Sequence, residues 1–119
     1  MVVIRVGNLE LGPGVTHLAT DYEVATDLQF NNRIINIKGE TVNLTTIILD
    51  NILDPGIFYY CRTKCLLSTG YTYYSNIHKF QPLDVRRVDF DVDMPSALGV
   101  PRILSNSINE LHQPTLFTL

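Results

Sequence analysis

The chain has 119 residues with nine Lys and Arg against twelve Asp and Glu, and a formal charge of −3 leaves no basic excess to neutralise a row of phosphates. Val, Ile and Thr supply 32 residues while Ala supplies three and Glu four, which excludes an all-helical bundle and favours half-buried strands. One soluble domain is expected, with no nucleic acid and no membrane among its partners, because no stretch reaches the roughly 18 to 20 apolar residues of a membrane span.

In chain order, Val2 to Val6 is predicted extended and closes at Gly7-Asn8. No basic stretch leads into a long apolar run there, so classical secretion is not expected. Thr20 to Thr26 alternates Tyr22, Val24 and Thr26 against Glu23 and Ala25, which is strand period. Carboxylate pairs such as Glu23 and Asp27 are expected at the surface. Asn31-Asn32 turns the chain into a short strand from Arg33 to Lys38. Leu44 to Leu49 forms the next strand and runs into the corner Asn51-Ile52-Leu53-Asp54-Pro55-Gly56, where Pro55 fixes φ and Gly56 permits the turn.

From Ile57 to Leu66, Tyr59, Cys61, Thr63 and Cys65 share one face, and Tyr60, Arg62 and Lys64 share the other. The neutral row is expected to point inward. Two cysteines four residues apart on one strand lie about 13 Å apart, beyond the ~7 Å that a disulfide spans, so Cys61 and Cys65 are expected as buried free thiols. Ser68-Thr69-Gly70 turns the chain, Tyr71-Thr72-Tyr73-Tyr74 follows, and Ser75 to Gln81 is a strand ended by Pro82. Short strands at this regular spacing predict an antiparallel sandwich or barrel.

Val85 to Val92 is a further strand candidate. Beyond it Pro95, Pro101 and Pro114 interrupt scattered apolar residues. The predicted organisation is a β-sandwich over 1–93 and an extended C-terminal arm over 94–119. Ser107-Ile108-Asn109-Glu110 fits a capping box, with Pro114 limiting any helix to about two turns. Thr115 to Leu119 is extended and apolar.

The segment Leu53-Asp54-Pro55-Gly56-Ile57-Phe58-Tyr59-Tyr60-Cys61-Arg62 resembles the corner and penultimate strand of fibronectin type III modules, with Ile57 where that family usually carries Thr. His17 to Asp27 and Thr69 to Asn76 are similar to segments of fibronectin- or immunoglobulin-like modules in tailed-bacteriophage virion proteins, with Tyr22 and Tyr74 at positions that are often Trp there. The resemblance spans about residues 15 to 81. It implies an all-β antiparallel sandwich of fibronectin type III or immunoglobulin-like type, with Leu53, Pro55, Gly56 and Tyr59 determining the fold through a tyrosine corner. Only 21 residues precede Tyr22, so the first sheet is expected to be abbreviated or completed by Val85 to Val92.

His17, His78 and His112 fall in different segments without local zinc spacing. Asp89, Asp91 and Asp93 begin like a calcium loop but lack its Gly and its closing Glu, and read as a solvated acidic face. No nucleophile elbow, phosphate loop or dinucleotide turn is present. Asn43-Leu44-Thr45 is read as an accidental glycosylation sequon. No catalytic, cofactor or metal residue is therefore nominated, and the chain is not expected to be an enzyme. A site assembled from distant His17, His78 and Asp21 is the least favoured reading.

The expected role is a non-enzymatic virion structural protein, of decoration or cementing type, that contacts capsid, tail or baseplate subunits in multiple copies. Tyr71, Tyr73 and Tyr74 are candidate interface residues because tyrosine gives contact area at low entropic cost. Leu104, Leu111, Leu116 and Phe117 are candidates because the arm cannot bury them alone. The alternative is a host- or carbohydrate-binding module displayed on the particle, with the tyrosine cluster as a stacking platform.

Overall fold

The computed structural model describes residues 1–50, 52–83, 87–95 and 103–108. Among these, β-branched and aromatic side chains build nine strands and no helix: β1 (Val2–Gly7), β2 (His17–Ala25), β3 (Arg33–Glu40), β4 (Thr46–Leu49), β5 (Tyr59–Leu67), β6 (Gly70–Tyr71), β7 (Ile77–Gln81), β8 (Val88–Asp93) and β9 (Ile103–Ile108).

The strands form two sheets, β4-β1-β8 and β3-β2-β5-β7-β9, with β6 paired to β5. They pack face to face as a sandwich. Val2, Ile4, Ile47, Leu49, Val88, Phe90 and Val92 of the small sheet meet Tyr22, Val24, Tyr59, Cys61 and Phe80 of the large one. Alternation decides which side chains go in: along β5 the neutral row Tyr59, Cys61, Thr63 and Cys65 is buried and the intervening residues are half-buried. Both thiols are free.

The small sheet has only β1 from the N-terminal stretch, and β8 occupies the edge beside it. The predicted antiparallel arrangement holds for most ladders, but β1 pairs with β8, and β7 with β9, in parallel. Alternation in sequence marks a strand and its faces but carries no information on direction. Direction follows from the connection, and parallel neighbours need a long crossover.

The C-terminal segment enters the fold earlier than its prolines suggest. Met94 is buried, its N–H donates to the Gly7 carbonyl at 2.9 Å, and Thr63 Oγ1 meets its sulfur at 3.9 Å. Ser107 and Ile108 are extended in β9 beside Phe80 and Gln81, and Asn109 and Glu110 of the capping box lie outside the described residues.

β5 begins after the corner Asp54-Pro55-Gly56, where Gly56 takes φ 83° and its N–H donates to the Pro82 carbonyl at 2.7 Å. Leu53 packs on the core. The buried ring of Tyr59 lies 5.8 Å from that of Phe80, and its hydroxyl accepts the Asp54 N–H at 2.9 Å. Pro55 itself is exposed.

Candidate interaction surface

The outward row of β5 sets the chemistry of the large sheet's outer face. Strand register places Arg62 opposite Glu23, Lys64 opposite Asp21, and Tyr60 opposite Lys79 of β7. Glu23 is not at the surface as expected: its side chain is 0% exposed. Arg62 Nε (2.9 Å) and Arg33 Nε (3.2 Å) donate to Glu23 Oε1, while Lys38 Nζ (2.5 Å) and the Tyr74 hydroxyl (3.2 Å) donate to Oε2. Burial alone would raise the carboxyl's pKa. Hydrogen bonds from Lys38 and Arg62, the charge of Arg62 and the bond from Arg33 outweigh it and bring the value to about 2. Asp21, also buried, accepts the Gly39 N–H at 2.8 Å. A two-residue period says only that Glu23 faces away from Tyr22, and the cover over it comes from other strands.

Beside Arg62 lies Phe30, fully buried with a left-handed φ of 57°, a strained conformation for an aromatic residue. A loop cap holds it. The Phe30 N–H donates to the Asp27 carbonyl, and the Asp27 carboxylate accepts the N–H groups of Asn31 (2.9 Å) and Asn32 (2.8 Å), which keeps its pKa below the ordinary value. Arg62 is then sandwiched, its guanidinium 4.1 Å from the Phe30 ring centre and 3.8 Å from that of Tyr74. Lys64 sits 4.8 Å from both Tyr71 and Tyr74, and Lys79 lies 4.7 Å from Phe58 and 5.8 Å from Tyr60. The outer face is a ladder of cations between aromatic rings.

The tyrosine cluster therefore divides. Thr72 and Ser75 pin the chain to β5: Cys65 N–H donates to Thr72 Oγ1 at 3.0 Å, and Thr63 N–H to Ser75 Oγ at 2.8 Å. Between these pins Tyr74 turns onto the cationic ladder, and Tyr71 joins it from β6. Tyr73, 76% exposed, instead lines a cleft of about 190 Å³ with Asn8, Leu9, Glu10, Leu67, Thr72, Met94 and Pro95. Leu104 lies in β9 beside His78 in the register, and Leu111, Leu116 and Phe117 lie outside the described residues.

The remaining candidates for chemistry are held separately. His17 Nε2 is 2.8 Å from Thr20 Oγ1, and the His78 ring stacks on Phe90 at 4.2 Å. Burial pushes the Cys65 thiol up to about 11, with the charge of Asp21 adding and a Thr20 hydrogen bond opposing, and burial raises Cys61 further. The acidic row of β8 is partly paired, as Arg5 reaches both Asp89 and Asp91 and Arg87 binds Asp89. Among the described residues no three His, Cys, Asp or Glu side chains gather as metal ligands. The chain matches no family model, no curated protein and no solved structure.

Proposed function

We propose that the chain is a non-enzymatic structural protein of a tailed-bacteriophage virion, a β-sandwich of fibronectin type III or immunoglobulin-like type attached in multiple copies to capsid, tail or baseplate subunits. The observation that carries this reading is the strand order β3-β2-β5-β7 with a buried Tyr59 at the start of β5 bonding back to Asp54. A C′-C-F-G sheet with a tyrosine corner has the same order and the same kind of bond, which supports the immunoglobulin-like reading. This arrangement falls on the residues by which the sequence resembles phage modules. β4 and β1 take the places of strands E and B, and β8 takes the edge that strand A would fill.

The test is quantitative mass spectrometry of purified particles produced with the gene intact. A fixed stoichiometry to a lattice subunit supports the reading, and absence from the particle refutes it. Truncation after Ile108 keeps β9 and removes Leu111, Leu116 and Phe117. The truncated chain is expected to fold but not to enter particles, and unchanged incorporation would reject the arm as the fastening.

The adhesion reading is favoured by one observation, the exposure of Tyr73 at the cleft with Tyr71 56% exposed nearby. On that reading Tyr71→Ala with Tyr73→Ala weakens attachment to host cells at unchanged copy number. Lower copy number with normal attachment favours the structural role.

A further inference from the structure

Charge is divided unevenly over the sandwich. Among the described residues, the outer face of the large sheet carries the cations Arg33, Lys38, Arg62, Lys64 and Lys79 and the acids Asp21 and Glu23. That face is net positive on a chain whose total charge is −3. Glu23 answers Arg33, Lys38 and Arg62. Lys64 stands opposite Asp21 in the register but forms no ion pair with it, and among the described residues the groups against the Lys64 and Lys79 ammoniums are aromatic rings. Rings orient an ammonium and shield it from water, but they do not neutralise it.

The opposite face of the same sandwich has the complementary pattern. Arg5 and the acids Asp89, Asp91 and Asp93 lie on the outer side of the small sheet; Asp91 is 53% exposed, Asp93 is half-buried, and Asp89, held by Arg5 and Arg87, is 13% exposed. Among the described residues three acids face Arg5 and Arg87 there, a surplus of one negative charge. The spacings agree as well. Asp89 to Asp93 covers about 13 Å along β8 at roughly 3.3 Å per residue, and Lys64 and Lys79, four residues and one strand apart, are about 14 Å from one another.

We infer that the Lys64–Lys79 face of one copy docks on the Asp89–Asp93 face of a second copy. The inference rests on the multi-copy reading above. The contact is heterologous, because the two surfaces differ, and it therefore propagates into a stack or closes into a ring according to the rotation between copies. The small sheet limits the contact: three strands about 4.8 Å apart and at most about 20 Å long offer about 300 Å² per partner, below the range of stable specific interfaces. Association of the free chain is accordingly weak, in the micromolar range or above, and becomes effective when a lattice holds copies side by side. Two unanswered lysines on an acidic chain are too few for a polyanion such as single-stranded nucleic acid, whose affinity grows with each phosphate neutralised.

The experiment is sedimentation of the full chain at about 20 mM and about 500 mM salt, where screening lengths are near 20 Å and 4 Å. Concentration-dependent association is expected at low salt and not at high salt. Lys64→Glu with Lys79→Glu, and separately Asp91→Lys with Asp93→Lys, should each abolish it, and mixing the two variants in equal amounts should restore association with the variants alternating in equal numbers. Circular dichroism checks that both fold, and Asp91→Asn with Asp93→Asn serves if the reversed charges do not. A chain monomeric at low salt up to millimolar concentration overturns the inference. So does association indifferent to the substitutions, or Lys64- and Lys79-dependent binding to a labelled oligodeoxythymidine in place of self-association. Particle-bound chains unaffected by the charge reversals would refute the stacking alone, and salt-sensitive stacking by a chain absent from particles would refute the virion role alone.

Discussion

Replacing Glu23 with Gln keeps the side-chain shape and removes the charge on which Arg33, Lys38 and Arg62 converge. Holding the carboxyl at about 2, against an ordinary 4.5, corresponds to about 3 kcal/mol of folded-state stabilisation at neutral pH. The side chain is fully enclosed, so solvent does little to screen that figure. Its cationic partners differ: Lys38 and Arg33 are 49% and 37% exposed and can turn to water, whereas Arg62, 18% exposed between two rings, cannot. The expected loss in Glu23→Gln is about 2 to 3 kcal/mol, in the range for breaking a buried pair after partial rehydration. Because the folded pKa is depressed, this stabilisation is complete above about pH 4.5 and disappears as pH falls towards 2. The gap between parent and variant should shrink to about 1.4 kcal/mol at pH 3 by the same linkage. Urea denaturation at pH 7 and pH 3 measures both values. A gap below about 0.5 kcal/mol at pH 7, or one that does not narrow with acid, would refute the view that Glu23 is a stabilising hub.

Tyr59→Phe removes the acceptor of the Asp54 N–H while leaving the ring in place, and should cost about 0.5 to 1 kcal/mol in urea, since Asp54 is exposed and its N–H can rehydrate. Gly7→Ala would bring a methyl within 2.2 Å of Asp93 Oδ1 and 3.1 Å of Asp91 Cβ. A lowered melting temperature worth about 1 to 2 kcal/mol is expected, with a smaller loss when Asp93→Ala is present. Cys61 and Cys65 are buried with raised thiol pKa values, so a disulfide reagent at pH 8 should leave both unmodified in the native chain and react with both in denaturant. Rapid modification of the native chain would show that the sheet opens locally at β5.

What the sequence makes legible is set by how local its cause is. The inward row of β5 is readable because a two-residue period is a property of one strand, and the turn at Asp54-Pro55-Gly56 is readable because it depends on the φ of two residues. Completion of the small sheet by β8 follows from a shortage of chain before Tyr22, which is arithmetic. The parallel sense of β8 and β9 depends on connections that no window of sequence contains.

The outer face shows the same limit in its charges. Tyr60, Arg62 and Lys64 point outward by alternation, but outward is not the same as solvated. Arg62 becomes half-buried only because β2 brings Glu23 opposite it, β3 brings Arg33 and Lys38, the Asp27 cap turns Phe30 over it, and the Thr72 and Ser75 pins aim Tyr74 from the other side. A net charge of −3 likewise averages over surfaces that register has sorted, placing five cations on one face and the acidic row of β8 on the other. Composition sets the total, and strand register decides whether that total is spread evenly or separated into two faces that complement each other.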